Sequence, residues 1–278
     1  MKKTLLEKIF DQQQREIFIE QVCRQQFHSW YIVEPQVLDE LQQHINLPNL
    51  IFQEKGRWGG VRVAAKGQQS ENILHCTPTP PFLNTLFEQG YTLVFNDMQD
   101  KIFPVYQIAL ELSSLLYAGV NCNCYVTPPQ TQGLERHYDD EDVIVLQLSG
   151  SKRWQVIIPQ DNIYPDPQLA YSETYAMHPG KQHHDILLEP GMAMYIPKGT
   201  PHEVAATQEQ SIHLTFSVSL PMVKDLLFHL IETLSQSQHI GRLLRQNIVL
   251  QSKEEVLHFD ITQALTLLQQ KLPNLDVQ

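Results

Sequence analysis

A chain of 278 residues with 42% hydrophobic residues can bury one large core, and this composition excludes a disordered protein. Its 20 lysines and arginines stand against 31 aspartates and glutamates, so the formal net charge is −11. Because no basic stripe interleaved with aromatic residues runs along the sequence, direct nucleic-acid binding is disfavoured.

The first half of the chain predicts alternating helices and short strands from the spacing of its apolar residues. In chain order, the predicted elements are one or two helices over 5–26, a strand over 30–33, a helix over 35–48, a strand-and-turn segment over 57–65, a helix over 82–90, a strand over 91–95 and a helix over 105–117. Prolines at positions 78, 80 and 81 separate the strand-and-turn segment from the helix that follows it.

A candidate metal site follows these elements. His137, Tyr138 and Asp139 form an H-x-D triplet, and residues i and i+2 of an extended strand point the same way, so both ligand side chains can reach one ion. His202 follows the turn-rich residues 196–201, which can present it at a strand entrance. Two imidazoles and one carboxylate are the facial ligand set of non-haem Fe(II) oxygenases. A chance H-x-D with structural histidines is the alternative.

Two β-rich apolar runs, residues 143–148 and 153–158, flank a short turn after the triplet and predict a hairpin. Lys152 shares strand parity with Trp154 and Val156, so its side chain is predicted to point inward. A buried ammonium must find an anion, and a dicarboxylate cosubstrate would supply one. The alternative is that Lys152 makes the turn soluble.

Residues 223–234 and 261–272 each predict an amphipathic helix from their apolar spacing. The two helices can form an appendage that mediates dimerisation, or they can pack on the back of the main domain. Both interpretations fit the sequence.

The four cysteines, Cys23, Cys76, Cys122 and Cys124, show neither a disulfide framework nor zinc-ligand spacing. Charged residues interrupt the apolar stretch near the start of the sequence before it reaches the length of a secretory signal. No apolar segment is long enough to span a membrane. These features predict a cytoplasmic protein with reduced thiols and no membrane partner.

Four blocks of sequence carry a family resemblance. They are residues 127–140, 143–156, 189–202 and 211–217. In this order they resemble the JmjC/cupin ribosomal oxygenases, over about residues 15–220. The resemblance implies a mainly β fold with helical additions: a double-stranded β-helix, or jelly roll, flanked by N-terminal and C-terminal helices.

The same resemblance implies a domain organisation. An oxygenase domain would cover 1–220 with its β-helix core at about 120–220, and a C-terminal helical segment would cover 221–278. Family members usually continue through a helical dimerisation segment into a winged-helix-like domain. Residues 221–278 leave no room for both, which weakens the expectation of a ribosomal substrate.

The resemblance also implies roles for the candidate residues. His137, Asp139 and His202 would be the iron ligands, and Lys152 would anchor the distal carboxylate of 2-oxoglutarate. The remaining candidates each keep two interpretations. His213 and Thr215 either line the cosubstrate pocket and support the ligands or form a polar strand face. Tyr125 either hydrogen-bonds the cosubstrate or packs in the core. Arg57, Trp58 and Arg62 either contact substrate at the pocket mouth or lie on an edge strand.

The implied activity is that of an Fe(II)- and 2-oxoglutarate-dependent dioxygenase. It would use O₂ to hydroxylate an amino-acid side chain of a protein or peptide, with succinate and CO₂ as co-products. A free small molecule or a biosynthetic peptide is an alternative substrate. A metal-dependent cupin of another reaction type, such as an isomerase, a non-catalytic binding cupin and a lysine demethylase are alternative classes. A homodimer through the C-terminal helices is the implied assembly.

Overall fold

The computed structural model describes residues 3–54, 60–65, 72–73, 79–159 and 182–236. The protein divides into two compact units, Met1–Leu220 and Pro221–Gln278. The described helices are α1 (Leu5–Ile9), α2 (Gln12–Arg24), α3 (Gln36–His44), α4 (Leu47–Gln53), α5 (Pro80–Glu88), α6 (Phe103–Leu116) and α7 (Val223–Gln236). The described strands are β1 (His28–Tyr31), β2 (Val61–Ala64), β3 (Asn72–Ile73), β4 (Thr92–Phe95), β5 (Gly119–Thr127), β6 (Asp142–Ser149), β7 (Lys152–Ile158), β8 (Gln182–Leu188), β9 (Met192–Ile196), β10 (His202–Ala206) and β11 (Ser211–Ser219).

The strands of the first unit form two antiparallel sheets. The larger sheet has the order β1-β9-β6-β11-β5-β4-β2-β3, and the smaller one has the order β10-β7-β8. Neighbours such as β6, β9 and β11 are far apart in sequence, which is the crossing pattern of a jelly roll. The predicted double-stranded β-helix with flanking helices is therefore confirmed.

The predicted hairpin of residues 143–148 and 153–158 is wrong. Strand β6 pairs with β9 on one side and β11 on the other, so no edge of β6 is left for β7. The backbone instead crosses to the smaller sheet, where β7 pairs with β8 and β10. Gly150 permits this sharp crossing with φ at +59°, a conformation that L side chains rarely adopt.

Alternate side chains of β6 pack into two different hydrophobic clusters, because successive strand residues point to opposite faces. Ile144 and Leu146 join the large cluster that includes the buried faces of the helices. Val143 and Val145 join a smaller cluster with side chains of β7, β8 and β9, between the two sheets. Val143, Val145 and Trp154 of the smaller cluster line the site described below.

Helices α1 and α2 begin where polar side chains cap their first backbone N–H groups. Thr4 and Glu7 form a capping box at α1, and Asp11 accepts from the N–H of Gln14 at α2. The aromatic rings of Phe10 and Trp30 lie 4.9 Å apart and join these helices to β1. Within the described residues, the predicted helices and strands of the first half of the chain are confirmed with boundaries that differ by a few residues, whereas α4 and β3 were not predicted and residues 57–59 lie outside the described residues.

In the second unit, the predicted helix of residues 223–234 is confirmed as α7. The second predicted C-terminal helix, residues 261–272, lies outside the described residues. Among the helices that the structure describes, none is sufficiently long and apolar to cross a membrane.

Candidate metal centre

Two histidines face each other at the centre of the site. His137 lies on an isolated antiparallel bridge opposite His202, the first residue of β10. The N–H of each residue donates to the carbonyl of the other, with N–O distances of 3.0 and 2.7 Å. Because the two backbones are joined directly, their imidazole centroids lie only 4.5 Å apart. The prediction that His202 stands at a strand entrance is confirmed.

The hydrogen bonds of both rings determine which nitrogen faces the site. His137 Nδ1 donates to the carbonyl of Glu135 at 2.7 Å, and His202 Nδ1 donates to the carbonyl of Thr200 at 3.1 Å. A carbonyl can only accept, so Nδ1 of each ring carries a proton, and the neutral tautomer that fits this hydrogen bond has its lone pair on Nε2. Burial lowers the pKa of His202 to about 4, with a further lowering by His137, so its ring is neutral at physiological pH.

Asp139 completes the ligand set. Its carboxylate oxygen lies 3.8 Å from His202 Nε2, too far for a hydrogen bond, and its side chain is 33% exposed. One ligand atom from each of His137, Asp139 and His202 lies within 4.8 Å of the others. Two neutral imidazoles and one carboxylate fit a divalent transition-metal ion, with part of the coordination sphere left open.

The local backbone of the triplet differs from the extended strand that the spacing predicts. Residue 137 forms only an isolated bridge, and β6 begins at Asp142. The carbonyl of Asp139 accepts from the N–H of Gly199 at 2.8 Å, so the loop before His202 holds the loop that carries Asp139. Gly199 has φ at +74°, in the region that favours glycine. Loop-to-loop hydrogen bonds therefore replace strand pairing as the element that orients Asp139.

An ion pair flanks the ligand bridge. The guanidinium of Arg136 donates to Glu203 at 2.6 Å, and these residues are the immediate neighbours of His137 and His202. Both side chains are partly exposed, so the pair adds little stability by itself. Its position ties the two ligand-bearing segments a second time.

The ligands open into a cavity of about 220 Å³ between the two sheets. Residues of β5, β6, β7, β10 and β11 line it, together with side chains of β2 and β4. The Trp154 ring packs 5.7 Å from that of His202. Sequence reasoning used Trp154 only as a marker of strand parity and missed this contact.

Lys152 is the buried cation of the cavity. Its side chain points inward with those of Trp154 and Val156, as the strand parity predicts, and the residue is 2% exposed. No carboxylate of the described residues lies within ion-pairing distance of its ammonium group. Burial lowers its pKa to about 7. The site thus holds a desolvated amine that an incoming anion would stabilise in its charged form.

His213 lies beside Lys152 in the cavity wall. Its ring stacks on Tyr125 at 4.9 Å with an interplanar angle of 6°, and Trp154 meets it edge-on at 5.8 Å. Burial, with a contribution from Lys152, holds its pKa well below the usual value. Its Nδ1 is buried without a hydrogen-bond partner among the described residues, which is costly unless a ligand supplies one.

Some of the other predicted residues lie within the described part of the chain, and two lie outside it. Thr215, Tyr125 and Arg62 line the cavity. Arg57 and Trp58 lie outside the described residues. Sequence reasoning missed Asn123 and Ser217, which line the same wall, because a polar residue on a strand carries no motif.

Comparison with protein families and curated proteins identifies related proteins. The model of the JmjC domain matches residues 99–226. The bifunctional lysine-specific demethylase and histidyl-hydroxylase NO66 of Drosophila persimilis is 30% identical over 139 residues, 50% of this chain and 20% of that protein. Ribosomal oxygenase 2 of Rattus norvegicus is 36% identical over 132 residues, 45% of this chain and 27% of that protein. The matched region thus spans about a fifth to a quarter of the length of these relatives.

Solved structures show the same fold. The X-ray structure of E. coli ycfD has a TM-score of 0.59 at 17% identity, and the match covers 94% of this chain and 68% of that one. A second match is the structure of YcfD, a ribosomal oxygenase from Escherichia coli, in complex with cobalt and 2-oxoglutarate. It has a TM-score of 0.55 at 16% identity, and the match covers 94% of this chain and 67% of that one. At this identity the likeness establishes the fold alone.

Proposed function

We propose that this protein, whose residues 99–226 match the JmjC-domain model and which is similar in sequence to ribosomal oxygenase 2, is an Fe(II)- and 2-oxoglutarate-dependent dioxygenase. Its substrate is an amino-acid side chain of a protein or peptide, which it hydroxylates with succinate and CO₂ as co-products. Proteins named histidyl-hydroxylase and ribosomal oxygenase among the relatives support this class of substrate.

One observation carries the proposal: a three-donor metal site and a buried, unneutralised cation share a single cavity. His137, Asp139 and His202 supply the donors, and Lys152 supplies the cation. A dicarboxylate with a keto group needs both features, because one end chelates a metal and the other end carries a charge. A cupin that binds only a metal would have no use for a buried lysine that lacks a carboxylate partner.

Each residue has a role that follows from its surroundings. Bound Fe(II) would supply the activation of O₂ and the oxidative decarboxylation of the cosubstrate. His137 and His202 present Nε2 because their Nδ1 protons are engaged by carbonyl groups. Lys152 would donate to the distal carboxylate of 2-oxoglutarate. The Nδ1 of His213 would gain its missing hydrogen-bond partner from the same cosubstrate. The apolar walls formed by Val143, Val145 and Trp154 would keep water from the reacting groups.

Thr215 and Tyr125 have supporting roles in this proposal. Thr215 offers a hydroxyl on the cavity wall near the cosubstrate. Tyr125 chiefly supports the imidazole of His213 by stacking. YcfD has been crystallised with cobalt and 2-oxoglutarate, which fits a cosubstrate pocket in this fold.

The proposal is tested by anaerobic reconstitution with Fe(II), titration with 2-oxoglutarate, and quantification of succinate after exposure to O₂. We expect a weak visible charge-transfer band and succinate formation from the wild-type protein, and neither from His137→Ala. His44→Ala, a substitution of an exposed histidine at the end of α3 outside the cavity, is the matched control and should behave like the wild type. Iron-loaded, folded protein that gives no band and no succinate would exclude the oxygenase.

We further propose that α7 contributes to a homodimer. Its large apolar residues are exposed within the described structure, among them Val223, Leu226, Phe228 and Ile231. An amphipathic helix with such a surface needs a partner. Analytical ultracentrifugation of the full-length protein tests this, because Phe228→Glu should shift a dimer to a monomer, whereas a wild-type monomer would overturn the idea.

A further inference from the structure

We propose that Asp142 is a positioning residue of the metal centre. Its buried carboxylate holds the loop of residues 197–200, and this loop in turn orients Asp139 and His202, two of the three candidate ligands. The inference rests on the proposed function, because it concerns the metal site on which that function depends.

The carboxylate of Asp142 joins the protein core to the 197–200 loop. Asp142 is the first residue of β6 and is 2% exposed. Its Oδ1 accepts from the backbone N–H of Lys198 at 2.7 Å, and its Oδ2 accepts from the hydroxyl of Tyr195 at 3.2 Å. The ring of Tyr195 is itself buried and meets that of Phe18 edge-on at 6.0 Å. One oxygen of the carboxylate is thus fixed by the core, and the other fixes the loop.

The same loop contacts two candidate ligands through its backbone. The N–H of Gly199 donates to the carbonyl of Asp139 at 2.8 Å, and Nδ1 of His202 donates to the carbonyl of Thr200 at 3.1 Å. The N–H that the Asp142 carboxylate accepts belongs to the residue directly before Gly199. A displacement of the loop would therefore move a carboxylate ligand and an imidazole ligand together.

Asp139 depends on this loop more than the histidines do. His137 and His202 are also joined by their own backbone bridge, whereas Asp139 lies between that bridge and the start of β6. Its side chain is 33% exposed, so close packing does not fix it. Release of the loop should therefore alter the position of the Asp139 carboxylate first.

A buried negative charge at the start of β6 is explained by its hold on the loop. Burial raises the pKa of the Asp142 carboxyl above its usual value, and the hydrogen bonds from the Lys198 N–H and the Tyr195 hydroxyl oppose that rise. A buried carboxylate is costly unless its oxygens are hydrogen-bonded. Hydrogen bonds to an ionised acceptor are shorter and stronger than neutral ones, so a carboxylate holds a backbone N–H firmly.

The test measures the metal site without turnover. Metal-free protein is titrated calorimetrically with Mn(II), and the visible spectrum of the Co(II)-loaded protein is recorded at saturating metal. Asp142→Leu removes the acceptor oxygens but keeps a side chain of similar size. We expect its Mn(II) affinity to fall roughly 10- to 100-fold, the range for loss of an outer contact that orients a ligand. Its Co(II) bands should shift, because the arrangement of donors around the ion changes.

Conservative variants separate positioning from folding. In Asp142→Asn the amide oxygen can still accept from the Lys198 N–H, and the amide nitrogen can donate to the Tyr195 hydroxyl. This variant should retain most of the affinity and the wild-type Co(II) spectrum. Tyr195→Phe removes one of the two hydrogen bonds and should lower the affinity roughly 3- to 10-fold.

Leu146→Ala is the control for general destabilisation. Leu146 lies on the same strand, is 2% exposed and packs in the large cluster, where it does not line the cavity. Its truncation should lower the urea midpoint of unfolding and leave the Mn(II) affinity and the Co(II) spectrum unchanged.

Wild-type Mn(II) affinity and an unchanged Co(II) spectrum in Asp142→Leu would overturn this inference and leave the proposed function standing. An equal loss of affinity in Leu146→Ala would do the same. If Asp142→Leu does not fold, unchanged affinity in Tyr195→Phe would overturn the inference and a lowered one would support it. Wild-type protein that binds no Mn(II) would overturn the proposed metal site, and the inference with it.

Discussion

His137 and His202 are joined by two backbone hydrogen bonds, so the candidate metal-binding imidazoles of two distant segments lie side by side. Their Nδ1 atoms are both engaged by carbonyl groups, and Asp139 is held by the N–H of Gly199. The site is preorganised by hydrogen bonds of the backbone. Substitutions that distort the surrounding backbone should therefore affect metal binding as strongly as substitutions of polar neighbouring side chains.

The first prediction concerns Gly199. Gly199→Val should strain the turn, since φ is +74°, and should displace the N–H that holds Asp139. We expect metal affinity to fall roughly 10- to 100-fold, the range for loss of an outer contact that orients a ligand. Calorimetric titration of the metal-free protein with Mn(II) measures this. Asp139→Ala is the positive control for complete loss, and unchanged affinity in Gly199→Val would refute the role of the loop.

The second prediction is that the affinity for 2-oxoglutarate depends on pH through Lys152. Burial lowers the pKa of the free amine to about 7, and a bound carboxylate would raise it again. Below pH 7 the ammonium is already formed. Above it, binding must take up a proton, so affinity should fall by up to about tenfold per pH unit.

Isothermal titration between pH 6.5 and 9, in buffers with different heats of ionisation, would count the protons. Lys152→Arg, which stays charged, should remove the pH dependence, and Lys152→Ala should weaken binding roughly 10- to 100-fold at pH 6.5. Binding of 2-oxoglutarate to the wild type without proton uptake at pH 8 would contradict the prediction.

The third prediction concerns the unpartnered Nδ1 of His213. His213→Phe keeps an aromatic ring to stack on Tyr125 but removes the hydrogen-bonding nitrogens. We expect the KM for 2-oxoglutarate to rise roughly tenfold, the equivalent of one hydrogen bond, with little change in thermal stability. Tyr125→Phe serves as the comparison, since it preserves the stack. If His213→Phe raised stability and left KM unchanged, the nitrogen would have no ligand.

The fourth prediction is a loss of stability in Gly150→Ala. Gly150 has φ at +59°, and a Cβ there would overlap the carbonyl oxygen of Gln210. We expect a loss of about 1–3 kcal/mol of unfolding free energy from backbone strain. Gly119→Ala is the matched control, because its Cβ would meet only Ser219 Cβ at an ordinary 3.8 Å. Equal urea midpoints for the two variants would disprove the argument.

Local patterns predicted much of this structure. The inward orientation of Lys152 follows from strand parity, and the helices of the N-terminal part follow from apolar spacing. The convergence of His137, Asp139 and His202 was expected from motif and family resemblance, although the triplet lies in a loop rather than on an extended strand.

Non-local contacts account for what the sequence did not predict. Adjacent runs normally form hairpins, but β6 is central in one sheet and β7 in the other, and this assignment depends on strands far along the sequence. The hydrogen bonds of Asp142 with Tyr195 and Lys198 likewise join separate segments. No spacing rule connects these residues.

Because His137 and His202 face each other across this bridge, binding of the metal ion also depends on the register between the two segments. A slip of one residue between the two segments would turn one imidazole away from the other, because neighbouring side chains of an extended backbone point in opposite directions. A cation that needs both rings would then bind only the correctly closed jelly roll and would favour it over misregistered forms by mass action. With the Fe(II) proposed above, metal supply during synthesis would thus influence the yield of correctly folded protein as well as its activity.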